Sequence, residues 1–406
     1  MFKVAVIGQG YVGFPLAIHA AEAGNTVIGY DIDESKVTEI NSGRFITPGL
    51  DSNLIDSLLR NDKYLPTNDP TLMSSSDVIV IAVPTPLDNI GNPDIAMLIN
   101  AAEIVAKNCK SDALVINEST SFPGTLRNII KPIFDKNRLD NRIIFASAPE
   151  RVDPGNLKWN IKNTPRIVCG LTNDATQKTI DFYQTFCNTV QKTSSPEVAE
   201  ASKLFENTFR MVNISLVNEF ANISSKLGFS AHEAIAAAAT KPFGFMAFYP
   251  GIGVGGHCIP IDPMYLSHSA KVVEAEPKLI DLAQSINKHI PKDTAEKIKT
   301  LMNHDLSNKR IQIAGISYKP NIPDIRESPA IELIYELRKL GAIVTWCDPL
   351  VKNFKAEISS SLSQDLDLGL VVTPHDQFDF SEWKNSGIKV IDLSANSIDY
   401  GWPKFF

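Results

Sequence analysis

The sequence predicts an α/β fold: two parallel-sheet domains joined by a central helical section. Two observations predict it. Short apolar runs alternate with helical stretches at both ends of the chain, and that alternation stops across the middle third. A length of 406 residues suits two or three domains. The expected boundaries are 1–195, 196–304 and 305–406.

Phe2 to Ile7 is a short apolar run ended by Gly8, which reads as a buried strand. A helical pattern follows from Gly13 to Ala23 and stops at Gly24 and Asn25. Thr26–Tyr30 reads as the second strand, with further strands at Val78–Val83, Ala113–Asn117, Arg142–Ala146 and Arg166–Cys169. From Pro196 to Leu227, Leu204, Phe205, Met211, Val212, Leu216 and Phe220 recur at helical intervals, uninterrupted by Pro or Gly. A second helical stretch runs from Pro277 to Met302, where Pro291 is expected to break or kink it. This section is long enough to serve as an interface between copies. Beyond Lys309 the alternation returns, with strands at Arg310–Ile316, Ala342–Cys347, Leu368–Val372 and Ile388–Leu393 and a helix at Ser328–Leu340.

Composition narrows the function. The net charge of −7 argues against a general nucleic-acid or anionic-membrane binder. With 22 Gly and 25 Pro, the chain is not collagen-like or of low complexity. The N-terminal apolar run is too short for a signal-peptide core, and no stretch approaches a spanning helix. A soluble cytoplasmic protein is expected. The cysteines, Cys109, Cys169, Cys187, Cys258 and Cys347, are odd in number and lack C-x-x-C spacing, so neither a disulfide framework nor a metal site is suggested.

Gly8-Gln-Gly10-Tyr11-Val12-Gly13 lies between the first strand and the first helix. In this pattern the first Gly permits the turn, the second admits a pyrophosphate and the third allows helix–strand packing. Asp31 follows at the end of the next strand, where a carboxylate accepts bonds from a ribose 2′-hydroxyl and disfavours a 2′-phosphate. The context is that of a Rossmann-like domain binding NAD rather than NADP. Loops after later strands, Pro84-Thr85-Pro86, Glu118-Ser119-Thr120 and Ala148-Pro149-Glu150-Arg151-Val152-Asp153-Pro154-Gly155-Asn156, sit where such sheets bind ligands.

Gly251-Ile-Gly253-Val-Gly-Gly-His257-Cys258-Ile-Pro-Ile-Asp262 carries four glycines before one cysteine, a backbone able to bring a thiol close to a ligand. The other four cysteines read as buried structural residues, and His257 reads as structural. Lys203 and Asn207 share one face of the long helix, a spacing compatible with a solvated face or with catalysis. Gly315 to Pro329, with Tyr318, Lys319, Asp324, Arg326 and Ser328, is a strand-to-helix loop with cations for a phosphate.

Together, in this order, these motifs resemble the UDP-glucose/GDP-mannose dehydrogenase family over the whole chain. Pro149–Asn156 and Lys241-Pro-Phe-Gly-Phe245 look like the branch acting on UDP-N-acetylhexosamines, and UDP-N-acetylglucosamine is the expected substrate. Pro154 stands where UDP-glucose enzymes carry a second Glu. The resemblance implies oxidation of the sugar C6 alcohol to a carboxylate with two NAD⁺, for surface polysaccharide synthesis by a homodimer. It assigns Cys258 as nucleophile, Lys203 and Asn207 to the C6 oxygen, and Glu150 as hydrolytic base. Asp262 and Thr120 would hold Lys203 or the water. Gly8, Gly10, Tyr11, Val12, Gly13, Asp31, Thr85, Thr120 and Arg326 would meet the cofactor. Glu150, Arg151, Lys203, Asn207, Tyr249, Gly253, Tyr318 and Lys319 would meet the UDP-sugar, and Arg326 or Lys241 could act across a subunit boundary. The remaining alternatives are a UDP-N-acetylgalactosamine, UDP-N-acetylmannosamine or UDP-glucose 6-dehydrogenase, a two-electron hydroxyacid dehydrogenase, or a non-catalytic NAD-binding protein.

Overall fold

The computed structural model describes residues 1–44, 50–137, 142–153, 156 and 158–406. Pro154 and Gly155 lie outside the described residues. The chain divides into two compact units: residues 1–206 with 264–274, and residues 207–263 with 275–406.

The first unit is built on β1 (Lys3–Ile7), α1 (Gly13–Glu22), β2 (Thr26–Tyr30), α2 (Glu34–Asn41), α3 (Ser52–Arg60), β3 (Tyr64–Thr67), β4 (Val78–Ile81), α4 (Ala96–Asn108), β5 (Leu114–Asn117), α5 (Lys131–Asn137), β6 (Ile144–Ser147), β7 (Arg166–Gly170), α6 (Asn173–Tyr183) and β8 (Val190–Lys192). Its eight-stranded sheet has the order β3-β2-β1-β4-β5-β6-β7-β8. Both faces are covered, as a parallel sheet requires. Val4 and Val6 join the core that includes Phe14, Leu16 and Phe182, while Ala5 and Ile7 join the one that includes Leu98, Val105 and Phe134. The strand order reverses between β1 and β4, so the crevice at their carboxyl ends is the expected ligand position. The sheet departs from the expected all-parallel arrangement at one point. β7 pairs antiparallel with β6, through Ala146 with Gly170 and Ser147 with Cys169. The two apolar runs announce strands but carry no direction.

Helix α7 (Pro196–Leu227) passes through the boundary between the units at residue 206, as does α9 (Asp262–Val272) at 263. The second unit holds the rest of α7, α8 (Ala231–Ala239), α10 (Lys278–Leu301), β9 (Arg310–Ala314), α11 (Pro329–Lys339), β10 (Ile343–Cys347), β11 (Asn353–Phe354), β12 (Glu357–Ile358), β13 (Leu368–Val371), α12 (Ser381–Ser386) and β14 (Val390–Asp392). Its sheet runs β10-β9-β13-β14, all parallel, beside the β11–β12 hairpin. Pro291 does not end α10, which runs through it. Proline removes the donor for the carbonyl four residues back, that of Asn287. That carbonyl faces Gly253, where an added Cβ would lie 3.3 Å from it. Among the described residues, no helix is long and apolar enough to cross a membrane.

Candidate active site

In the first unit, the Gly8–Gly13 turn leaves the end of β1 as the fingerprint requires. Gly8 has φ +92°, and a Cβ there would lie 2.5 Å from the Ala82 carbonyl oxygen; a Cβ on Gly13 would lie 1.9 Å from the Gly8 oxygen. Neither position tolerates a side chain. A Cβ on Gly10 meets nothing within 4 Å, so the front of the turn is open for a ligand. Tyr11 is exposed and Val12 half-buried. Gln9, fully buried, donates to the Val6 carbonyl and accepts from the Tyr64 hydroxyl at 2.7 Å. The Gln9 N–H donates to Asp31 Oδ2 at 2.8 Å, which ties the carboxylate to the turn. Asp31 also pairs with Lys36 at 2.8 Å. These residues fit NAD: glycines where the pyrophosphate approaches, and a carboxylate at the end of β2 for the adenosine ribose.

Thr85 is buried after β4, and Thr120 is half-buried after β5. Ser119 ties these ends together, accepting from the Val83 N–H at 2.9 Å and donating to the Val83 carbonyl at 2.8 Å. Glu200, on the first turns of α7, caps the following segment by accepting from the Gly124 and Leu126 N–H groups at 2.7 and 3.1 Å. Burial pushes the Glu200 carboxyl up to about 7.

Glu150 follows β6 and is buried. Its Oε1 accepts from the N–H groups of Arg151 and Val152 at 2.7 and 2.6 Å, and its Oε2 from Arg166 Nη2 at 2.8 Å. Burial works to raise the Glu150 carboxyl, but Arg166, the Val152 N–H and Lys203 together hold it below the usual carboxylate range. Lys203 on α7 is 8% exposed, and its field at Glu150 joins these two candidates. Arg151 is turned to structural partners, pairing with Glu206 at 2.6 Å and donating to the Pro165 carbonyl at 2.8 Å.

In the second unit, Cys258 alone of the five cysteines is exposed; Cys109, Cys169 and Cys187 are buried and Cys347 is half-buried. The glycines before it pack on the Tyr318–Pro329 loop. Gly256, at φ +85°, donates its N–H to the Arg326 carbonyl at 2.9 Å, and a Cβ there would lie 2.7 Å from the Tyr318 ring. A Cβ on Gly255 would lie 2.8 Å from the Glu327 carbonyl oxygen. The Cys258 carbonyl accepts from the Asp262 N–H at 2.8 Å, so the cysteine closes the turn that opens α9. Asp262, 2% exposed, accepts from Asn207 Nδ2 at 2.6 Å. Tyr249 stacks on His232 at 5.7 Å, with Gly253 half-buried nearby in sequence. Tyr318 and Lys319 are half-buried, and the exposed Arg326 pairs with Asp324 at 2.6 Å. Ser328 donates to the Ile316 carbonyl at 2.7 Å. Lys241 lies over the Phe243 ring at 4.9 Å on an exposed loop. His257 is half-buried, and burial together with Arg326 lowers its imidazole to about 4, so it is neutral near pH 7.

The candidates therefore divide between the units. Gly8 to Gly13, Asp31, Thr85, Thr120, Glu150, Arg151 and Lys203 belong to the first; Asn207, Tyr249, Gly253, Cys258, Asp262, Tyr318, Lys319 and Arg326 belong to the second. Sequence reasoning missed Arg166 and placed Glu118 only in a loop where such sheets bind ligands, although an arginine heading an otherwise apolar strand is itself a signal, since a buried guanidinium needs acidic partners.

Comparison with known proteins gives three successive matches to the UDP-glucose/GDP-mannose dehydrogenase family: the NAD binding domain over residues 2–187, the central domain over 197–289 and the UDP binding domain over 312–395. Protein CapL of Staphylococcus aureus is 34% identical over 96% of this chain and 93% of its own length. The UDP-N-acetyl-D-glucosamine 6-dehydrogenase of Pseudomonas aeruginosa is 31% identical over 86% of this chain and 83% of its own. Among solved structures, the UDP-D-ManNAc dehydrogenase of Pyrococcus horikoshii matches with a TM-score of 0.88 and 32% identity, covering 98% of this chain and 97% of that one.

Proposed function

Because this chain belongs to the UDP-glucose/GDP-mannose dehydrogenase family, NAD-dependent oxidoreductases of nucleotide sugars, we propose that it oxidises the C6 alcohol of a UDP-N-acetylhexosamine to the carboxylate in two steps. The observation that carries this reading is Cys258, the one exposed thiol, at the end of a glycine loop and the start of α9. NAD⁺, when bound, accepts the hydride that C6 releases at each oxidation. The Gly8–Gly13 turn, Asp31, Thr85 and Thr120 would hold it, with Arg326 assigned to it by family resemblance.

Lys203 and Asn207 act on the C6 oxygen, where an ammonium and an amide N–H stabilise developing negative charge. Asp262 orients the Asn207 amide through their 2.6 Å bond. The Cys258 thiolate adds to the aldehyde carbon as the carbonyl π pair moves to oxygen. In the tetrahedral thiohemiacetal the hydrogen that C6 already carries can leave as hydride in the second oxidation. Water then attacks the thioester: its oxygen bonds the acyl carbon, its proton passes to Glu150, and the thiolate leaves. Glu150 suits this because it is held as a carboxylate. Tyr249, Gly253, Tyr318 and Lys319 form the UDP-sugar contacts in this reading, while Arg151, paired with Glu206, is assigned there by family resemblance alone. Three family matches in succession support an organisation into 1–195, 196–304 and 305–406.

The acetamido sugar is supported by the relatives, which include a glucosamine and a mannosamine enzyme. In a panel of UDP-sugars, a 2-acetamido substrate is expected to give two NADH per sugar, with UDP-glucose at least tenfold slower by about 1.4 kcal/mol of lost contact. The gluco and manno arms of the panel decide the C2 configuration. UDP-glucose as the best substrate would remove the acetamido assignment. Run with NADP⁺, the same panel is expected to be at least roughly tenfold slower, because a 2′-phosphate would face Asp31.

A homodimer belongs to the same proposal. Leu216 is 61%, Ile223 46% and Leu227 70% exposed on α7, an apolar stripe that a second copy would cover. Leu216→Glu is expected to halve the mass measured by sedimentation equilibrium. A monomeric parent protein would exclude the dimer.

A further inference from the structure

Three strand ends of the first unit converge on one buried charge cluster. Glu118 follows β5, Glu150 follows β6 and Arg166 opens β7; their side chains are 0%, 10% and 3% exposed. Arg166 Nη2 bonds Glu150 Oε2 at 2.8 Å. Arg166 Nη1 lies 3.1 Å from Glu118 Oε1 but outside hydrogen-bonding geometry. The Tyr183 hydroxyl at the end of α6 donates to Glu118 Oε1, and the Arg166 guanidinium lies over the Tyr183 ring at 4.8 Å. One guanidinium thus faces two carboxylates in a largely buried site, where two bare negative charges are costly.

The two carboxylates are not equally provided for. Glu150 has three N–H donors and the field of Lys203, whereas Glu118 has one hydroxyl donor, and its Oε2 is buried without a hydrogen-bond partner. We propose that Glu118 holds the proton of this two-carboxylate cluster and, through Arg166, sets the base strength of Glu150. Glu118 is then a positioning residue for hydrolysis, and the inference rests on Glu150 being the hydrolytic base.

The groups facing Glu118 support this. Burial pushes Glu118 up to about 7, with Arg166 opposing and the Glu150 charge and Tyr183 completing the set. The Tyr183 hydroxyl is raised well above its usual range by burial, then by Glu118. Cys187, also facing Arg166, is pushed by burial to about 11. Both therefore stay neutral near pH 7. Below that pH Glu118 is uncharged, the whole Arg166 charge acts on Glu150, and Glu150 is a weak base. Above it, Glu118 becomes anionic and shares Arg166, so the Glu150 oxygens take a proton from water more readily.

The test is the pH profile of thioester hydrolysis in rapid-quench single turnover, from about pH 5.5 to about 9, for the parent protein, Glu118→Gln and Glu150→Gln. The parent rate is expected to rise about threefold to tenfold and level off, with its midpoint near 7. Glu118→Gln keeps an oxygen for the Tyr183 hydroxyl and is expected to hold the low-pH rate throughout. A midpoint near 7 that survives in Glu118→Gln overturns the inference. Glu150→Gln separates the two readings: unchanged hydrolysis there removes Glu150 as base, whereas a loss there with an unaltered Glu118→Gln profile removes only the role of Glu118. A measurement without turnover completes the test. Because burial also pushes Glu200 up to about 7, infrared difference spectra are compared in the Glu200→Gln background. There the resting protein is expected to show a protonated carboxyl that titrates near 7 and is missing when Glu118→Gln is added; its persistence in that double variant overturns the assignment.

Discussion

Cys258→Ser is expected to fold, to bind NAD⁺ and the UDP-sugar, and to lose acid formation by more than about 10³-fold. The fold is safe because Cys258 is exposed and its structural contribution to α9 is a backbone carbonyl, which serine keeps. The chemistry is not. A serine hydroxyl is hardly ionised near neutral pH, and an alkoxide leaves far less easily than a thiolate when water attacks. A slow ester on the introduced serine is expected as a mass increase in intact-protein spectra. Cys258→Ala forms no adduct and stops at the aldehyde. Two NADH per sugar at near-parental rate from either variant would exclude covalent catalysis here and favour a two-electron dehydrogenase.

Lys203→Ala is expected to lower kcat by about 10²- to 10³-fold with little change in KM, the loss typical of one donor to a developing oxyanion. Lys203 is 8% exposed, so its ammonium acts where water screens it weakly. The substitution also removes one of the positive neighbours that hold the Glu150 carboxyl low, so that carboxyl shifts upward. Presteady-state kinetics of the first NADH checks the assignment. A first oxidation at parental rate would take Lys203 out of the C6 oxygen site.

Much of this was legible in order along the chain. The Gly8–Gly13 turn, the buried strands and the long α7 helix announce themselves through glycine spacing and apolar period, which are local. Cys258 was legible as the proposed nucleophile for the same reason: a cysteine among four glycines is a local anomaly, and it alone of the five is exposed. Two expectations were narrowed or corrected. Of the break or kink expected at Pro291, the break does not occur, since α10 runs through it with the Asn287 carbonyl facing Gly253, and β7 runs antiparallel to β6. Neither could be read locally, because each depends on a neighbour distant in the chain.

The sequence by itself determined the fold class, the dinucleotide turn with Asp31, and Cys258 as the candidate thiol, because each is written in consecutive residues whose backbone freedom or periodicity admits few alternatives. Only the tertiary structure decided the partners. It bonded Asn207 to Asp262, turned Arg151 to Glu206, and gathered Glu118 and Glu150 around the Arg166 guanidinium. Those pairings follow from strand order and helix packing, and a charge buried by them must find its counter-charge wherever the fold brings one, at a distance in sequence that no local pattern records.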